Sequence, residues 1–192
     1  MEMLQWRVTS VYVSWLLVLL LASSSLQAQV FKDDYDHWFK EYTIKYLYGL
    51  VPDNDWRWFK AQCYQESRLK PLAVSPAGAT GLCQLMSGAA KDAGLHPSER
   101  IDPEKNIRAG AWILRRNIRV WWPRDTLLQR LQLGWAGYNA GAGHIIKAQK
   151  RCNNGINWPE IAPCLSSITG HTNAGETINY VILIPQWYRS LP

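Results

Sequence analysis

Trp56, Phe59, Cys63 and Glu66 recur at i, i+3, i+7 and i+10, one stripe along a helix. An apolar stripe faces a core, so the carboxyl of Glu66 should point inward from the helix's last turn. Pro71 closes the segment, because Lys70 before it is driven away from helical angles. Burial and the negative end of the helix dipole both oppose a charged carboxylate there and raise its pKa. A carboxyl that keeps its proton near neutral pH can act as a general acid. The same placement also suits a structural Glu that pairs with a basic or hydroxyl group and takes no part in chemistry.

The elements that must hold Glu66 read as helices almost throughout. Asp33 or Asp34 caps a first helix whose aromatic side is Tyr35, Trp38, Phe39, Tyr42 and Tyr46, and Gly49 ends it. The helix carrying Glu66 starts near residues 53–55. Residues 70–81 form a loop rich in Pro, Ser, Gly and Ala, followed by a short helix over about 82–86 and another before Gly94. Asp102-Pro103 is a cap followed by proline at the first helical position. Ile107, Ala111, Leu114, Ile118 and Trp121 then mark a core helix that Pro123 closes. Asp125 opens the next, with Leu128, Leu131, Trp135 and Tyr138 on one face before Gly141. A further helix covers about 143–151. The last begins near 173–176 and runs to Ile184, where Pro185 breaks the pattern. Little reads as strand, and the fold class is a compact all-α domain.

The chain has 192 residues, the size of one domain. Residues 1–28 read as an export signal: Arg7, an apolar run over 11–22, then small residues with cleavage after Ala28. An uncleaved signal anchoring the chain to the inner membrane is the alternative. Residues 29–192 then form the exported domain. Export turns the four cysteines into potential disulfides. Cys152 and Cys164 flank an irregular stretch and are favoured as one staple, leaving Cys63 with Cys83. Metal binding is the weaker alternative, because neither cysteines nor histidines show ligand spacing. The net charge of +6 is uneven: residues 29–110 carry 11 charges of each sign, residues 111–192 carry 9 basic and 3 acidic. A basic half calls for an anionic partner, and cell-wall polymer with its carboxylated peptides suits an exported chain better than nucleic acid. The 11 Trp and 9 Tyr are mostly core at helical spacing, with some free to line a sugar-binding groove.

Four segments occur in order: Gln65-Glu-Ser-Arg68, Ser75 to Met86 (SPAGATGLCQLM), Gly137-Tyr-Asn-Ala-Gly141, and Glu176-Thr-Ile-Asn-Tyr-Val181. Asp102 to Ile107 and Gly110 stand between the second and third. This order resembles the soluble-type lytic transglycosylases, relatives of goose-type lysozyme, over residues 53–184. The resemblance implies a lysozyme-like α fold with a glycan groove and no cofactor. It implies cleavage of the β-1,4 bond between N-acetylmuramic acid and N-acetylglucosamine, with a 1,6-anhydro product. Glu66 matches the family's catalytic carboxylate, serving as acid and then base. Ser75 matches a serine that positions the sugar, although a turn serine before Pro76 is its plain reading. Gln84 and Met86 match groove-lining positions, with Met86 equally suited to the core. Tyr138 points inward, and the resemblance gives Glu66 as partner of its hydroxyl. Asn139 and Gly141 shape a helix end. Glu176 and Tyr180 match groove positions, against capping and packing as local readings.

Ordinary glycosidases place two carboxylates about the bond, and substrate assistance is the known exception. No second acidic residue lies in the first three segments. Ser87-Gly88 departs from the family's proline-containing continuation. Two alternatives stand beside the transglycosylase: a hydrolytic lysozyme on the same fold, and an inactive wall-binding component of a secretion, conjugation or phage assembly.

Overall fold

The Asp102-Pro103 start and the apolar repeat behind it form the longest core helix. In a computed structural model describing residues 33–122 and 126–192, the order is α1 (Asp36–Tyr42), α2 (Arg57–Ser67), α3 (Ser87–Asp92), α4 (Pro103–Arg119), α5 (Leu127–Ala140), α6 (Ala142–Arg151), α7 (Trp158–Ile161), α8 (Ser166–Thr169) and α9 (His171–Ser190). A π-helical turn, Thr43–Leu47, continues α1, and a 3-10 turn, Pro52–Asn54, precedes α2. Residues 34–189 make one unit. Among the described residues there is no strand, only isolated bridges joining Thr80 to Val74 and Leu85. The export signal, Pro123 and Asp125 lie outside the described residues.

Helix α4 is the axis of the core. Asp102 accepts from the Lys105 N–H at its start, and Ile107, Ala111, Leu114 and Ile118 are fully buried. Helix α5 packs against it so closely that a Cβ on Gly134 would lie 2.6 Å from Ile118 Cγ1. The cap of α5 is Thr126, reciprocated by Gln129. Leu131 and Trp135 are fully buried, while Leu128, in the first turn, stays 41 % exposed and leaves the expected face. Phe39 of α1 meets Phe59 of α2 edge to face at 5.4 Å.

Four boundaries differ from the sequence reading, each for a local reason. Helix α1 starts at Asp36, and its side chain pairs with buried Lys60, so neither Asp33 nor Asp34 caps it. Helix α2 ends at Ser67 because Arg68 and Leu69 turn left-handed, ahead of any effect of Pro71. Residues 82–86 form a turn, not a helix. Gln84 turns left-handed at φ +48°, and Leu85 exchanges both backbone bonds with Thr80, so the segment cannot run on as a helix; Asn106 and Tyr138 hold Cys83 in this turn. Helix α9 starts at His171, after left-handed Gly170, and runs through Pro185. The proline removes one backbone bond, but side chains beyond it are anchored on α2 and on the residue that leads into it. Trp187 Nε1 donates to Gln65, and Tyr188 donates to Asp55 and stacks on Trp58 at 3.6 Å.

Candidate active site

Phe59 and Cys63 are buried as the stripe requires, and the next residue on it, Glu66, turns its carboxyl into protein while keeping part of its surface open. Tyr180 of α9 donates its hydroxyl to Glu66 Oε1 at 2.6 Å. Burial pushes the Glu66 pKa up to about 8; the Tyr180 hydrogen bond pulls it down, and the charge of Glu176 adds to the rise. Burial, then the nearby Glu66 charge, holds the Tyr180 and Tyr138 hydroxyls well above the ordinary tyrosine range, so both remain donors. Gln62, one turn before Glu66, lies against the Tyr180 hydroxyl; beyond this contact its buried amide has no hydrogen-bond partner among the described residues.

The Tyr138 hydroxyl does not reach Glu66 as the resemblance implied. It donates to the Cys83 carbonyl at 2.8 Å, an acceptor exposed by the non-helical turn. Tyr180 takes the place at the carboxyl, and Tyr138 secures the loop beside it.

That loop, residues 73–85, is tied down from several sides. The Cys63–Cys83 disulfide joins it to α2 one turn before Glu66, and Ser67 Oγ donates to the Leu82 carbonyl at 2.6 Å. Asn106, fully buried on α4, accepts from the Cys83 N–H and donates to the carbonyls of Thr80 and Arg100. Arg100 donates to the carbonyls of Gly78 and Leu85. Gly81 is required on two grounds: its φ is +86°, and a Cβ would lie 2.2 Å from both the Arg100 carbonyl and the Asn106 amide. Gly110 leaves room for the disulfide, since a Cβ there would meet Cys83 Cβ at 3.0 Å. Sequence reasoning assigned no role to Asn106, Ser67 or Arg100. The available signal was a polar Asn one position before the buried Ile107, inside a core segment.

The remaining candidates divide by position. Ser75 Oγ accepts from the Ala79 N–H, the turn role, which leaves its hydrogen free to donate outward. Gln84 spends its amide hydrogens on the Ala73 and Gly81 carbonyls, keeping its oxygen. Met86 is 48 % exposed, which removes it from the core. Asn139 Oδ1 accepts from Thr177 Oγ1, linking α5 to α9. Asn139, His144, Asn173, Glu176 and Thr177 line a cavity of about 390 Å³. Glu176 therefore belongs to this cavity and also acts electrostatically on Glu66.

The second staple, Cys152–Cys164, closes the 152–164 loop, so all four cysteines are paired and none is left for a metal. Replacing both Cys63 and Cys83 with Ala should lower stability by about 3 kcal/mol, the usual effect of opening a loop of this length. The domain should still fold, because Asn106, Ser67 and Tyr138 hold the same segment. Equilibrium urea unfolding measures the difference, and a loss under about 1 kcal/mol would show that the bridge adds little to those bonds.

A carboxyl whose pKa burial raises, bonded by a tyrosine and set beside a pinned loop, can donate a proton to a bound ligand and recover one. Comparison with known proteins gives this arrangement a family. The Transglycosylase SLT domain matches residues 48–161, which include α2, the pinned loop and α5 but not Glu176 or Tyr180. Membrane-bound lytic murein transglycosylase F of Photobacterium profundum is 33% identical over 151 residues, 71% of this chain and 29% of that protein. The protein of the same name from Alcanivorax borkumensis is 33% identical over 148 residues, 70% of this chain and 31% of its own. The chain thus spans under a third of these relatives. The 70 kDa soluble lytic transglycosylase of Escherichia coli shares the fold, with a TM-score of 0.63 and 24% identity over 83% of this chain and 24% of that one. The match over more than half of its length establishes that this chain belongs to the transglycosylase SLT domain family.

Proposed function

We propose that the chain is an exported peptidoglycan lytic transglycosylase acting in the periplasm on glycan strands. The observation that carries this reading is one carboxyl, Glu66, turned into protein at the end of α2 and hydrogen-bonded by Tyr180, where burial raises its pKa. Glu66 gives its proton to the oxygen linking N-acetylmuramic acid to N-acetylglucosamine, and the C1–O4 bond breaks. The acetamido carbonyl of the muramyl sugar supports the electron-poor C1. Glu66, now a carboxylate held by the Tyr180 hydrogen bond, takes the proton from the 6-hydroxyl as O6 bonds to C1. The anhydro ring closes, no water is consumed, and Glu66 is again protonated. Ser75, Gln84, Met86, Tyr138, Asn139, Glu176 and Tyr180 are the positions proposed to shape the groove around the sugars.

A hydrolytic reading is favoured by Glu176, an exposed carboxylate at the adjoining cavity that could activate water. Product analysis on purified peptidoglycan separates the two. Anhydro ends, one water lighter than reducing ends, are expected; reducing ends would replace the transglycosylase with a lysozyme.

Activity should fall along an alkaline limb near pH 8 as Glu66 loses its proton. Tyr180→Phe removes the bond that favours the carboxylate, so the limb moves up, while turnover drops roughly 10- to 100-fold as the base form loses a charge-assisted hydrogen bond. Glu176→Gln removes a repelling charge, so the limb moves down. Measured pH–rate profiles that shift the same way in both variants would contradict this assignment of forces.

A further inference from the structure

Three of the nine basic residues of 111–192 stand together on α4. Trp112, Arg115, Arg116 and Arg119 stand at i, i+3, i+4 and i+7 on one face of α4. They line a cavity of about 220 Å³, and Arg119 also lines a second of about 520 Å³ with Tyr48, Leu50 and Trp122. The two cavities adjoin at Arg119, which lines both, and together make a basic and aromatic cleft. Trp122 is 60 % and Tyr48 70 % exposed. Arg116 lies over the Trp112 ring and pairs with Asp92, and Arg130 lies over Trp122. Arg115 and Arg119 have no ion pair or hydrogen bond among the described residues. Asn106, which binds the loop beside Glu66, lies thirteen residues earlier on α4, roughly 20 Å away at 1.5 Å per residue.

We propose that this cleft is a second binding site, distinct from the groove at Glu66, for carboxylate-bearing wall glycan. Guanidinium groups pair with carboxylates, and exposed indole faces stack on the apolar faces of sugar rings. Cations near the end of a helix also offset its dipole, which accounts for Arg116 and Arg119. It accounts for neither the exposed Trp122 and Tyr48 nor the cleft they line. A membrane would instead meet a broad apolar face with cations at its rim, whereas here the arginines line the same cavities as the aromatic rings. The role of the site is to hold a long strand while another part of it occupies the groove. The choice of polymer rests on the proposed function; the cleft does not depend on Glu66.

The test measures binding to insoluble peptidoglycan by co-sedimentation, with the full chain carrying Glu66→Gln so that nothing is cleaved. Adding Arg115→Ala and Arg119→Ala should weaken binding by about five-fold or more, the sum of two partly exposed charge contacts, and the difference should shrink in high salt. Trp122→Ala should also weaken it. Lys150→Ala with Arg151→Ala removes the same charge elsewhere and should change binding less than two-fold. Equal losses in the two double variants, or none in the first, would overturn the proposal. So would retained binding to peptidoglycan whose carboxylates are amidated, or loss confined to vesicles containing phosphatidylglycerol. A failure of Glu66→Gln to abolish cleavage would instead strike the proposed function and leave the binding comparison standing.

Discussion

Glu66→Gln is expected to abolish cleavage of peptidoglycan while leaving the fold intact. Loss of one general acid typically slows a reaction about 10²- to 10⁴-fold, and the effect should reach or exceed the top of that range when one group serves as both acid and base. Gln keeps the shape and can accept the Tyr180 hydrogen bond through its oxygen, so packing should survive. The substitution should even stabilise the protein. The folded carboxyl holds its proton up to about pH 8, against an ordinary value of 4.5, so unfolding between these values releases a proton. Stability from this group is therefore complete below pH 4.5 and falls as pH rises toward 8. Gln has no such penalty. Its advantage should be absent at pH 4, about 1–3 kcal/mol at pH 7, and visible as a Tm difference that grows with pH. A variant that cleaves at the wild-type rate would remove Glu66 from the mechanism. A variant less stable than wild type at pH 7 would show that the carboxyl is paired rather than strained.

In the proposed mechanism one carboxyl serves twice, and the opposing effects of its neighbours suit it to that use. Burial alone favours the acid form. Tyr180 favours the carboxylate that must exist between proton donation and proton recovery, and Glu176 opposes it. A group that must alternate states works best when neither is strongly preferred at the working pH. In the proposed mechanism, departure of the leaving sugar, rather than movement of Glu66, changes its task from donor to acceptor.

How much of this was legible depends on the range of the interaction. Helical period and caps are local, so α2, α4 and α6 could be placed from residues alone, and the stripe through Phe59 and Cys63 put Glu66 inward. Motif order proposed the other site positions, of which Tyr180 bonds Glu66 while Asn139 and Glu176 line a neighbouring cavity. What failed was long-range competition for backbone groups. The 82–86 segment turns because Gln84 is left-handed and Leu85 pairs its backbone with Thr80, and the turn is held in place by Asn106 and Tyr138, 23 and 55 residues from Cys83. Pro185 reads as a stop, yet α9 continues because Trp187 and Tyr188 are anchored more than 120 residues away. The same cause exchanged the tyrosines: spacing shows that Tyr138 points inward but not which acceptor it meets there. The pairing of Cys63 with Cys83 fits the fold that brings α2 and the loop together.

Asn106→Ala should lower stability strongly while leaving Glu66 untouched. The Asn106 amide satisfies three backbone groups, the Cys83 N–H and the carbonyls of Thr80 and Arg100, and none is replaced by water at a fully buried position. Each buried group left without a partner costs about 1–3 kcal/mol, and shared relaxation brings the expected total to about 3–5 kcal/mol. In a domain of this size that corresponds to a fall in Tm of about 10 °C. Asp at this position should recover only the bond from the Cys83 N–H, since a carboxylate cannot donate to the two carbonyls. Activity measured well below the new Tm should also fall, because the loop carrying Ser75 and Gln84 loses its anchor to α4 while Glu66 keeps its own setting on α2. The alkaline limb of the pH profile should therefore stay near pH 8 even as the rate drops. A displaced limb would mean that the loop tunes the acid directly; an unchanged Tm would mean that the disulfide and Ser67 hold the loop without Asn106.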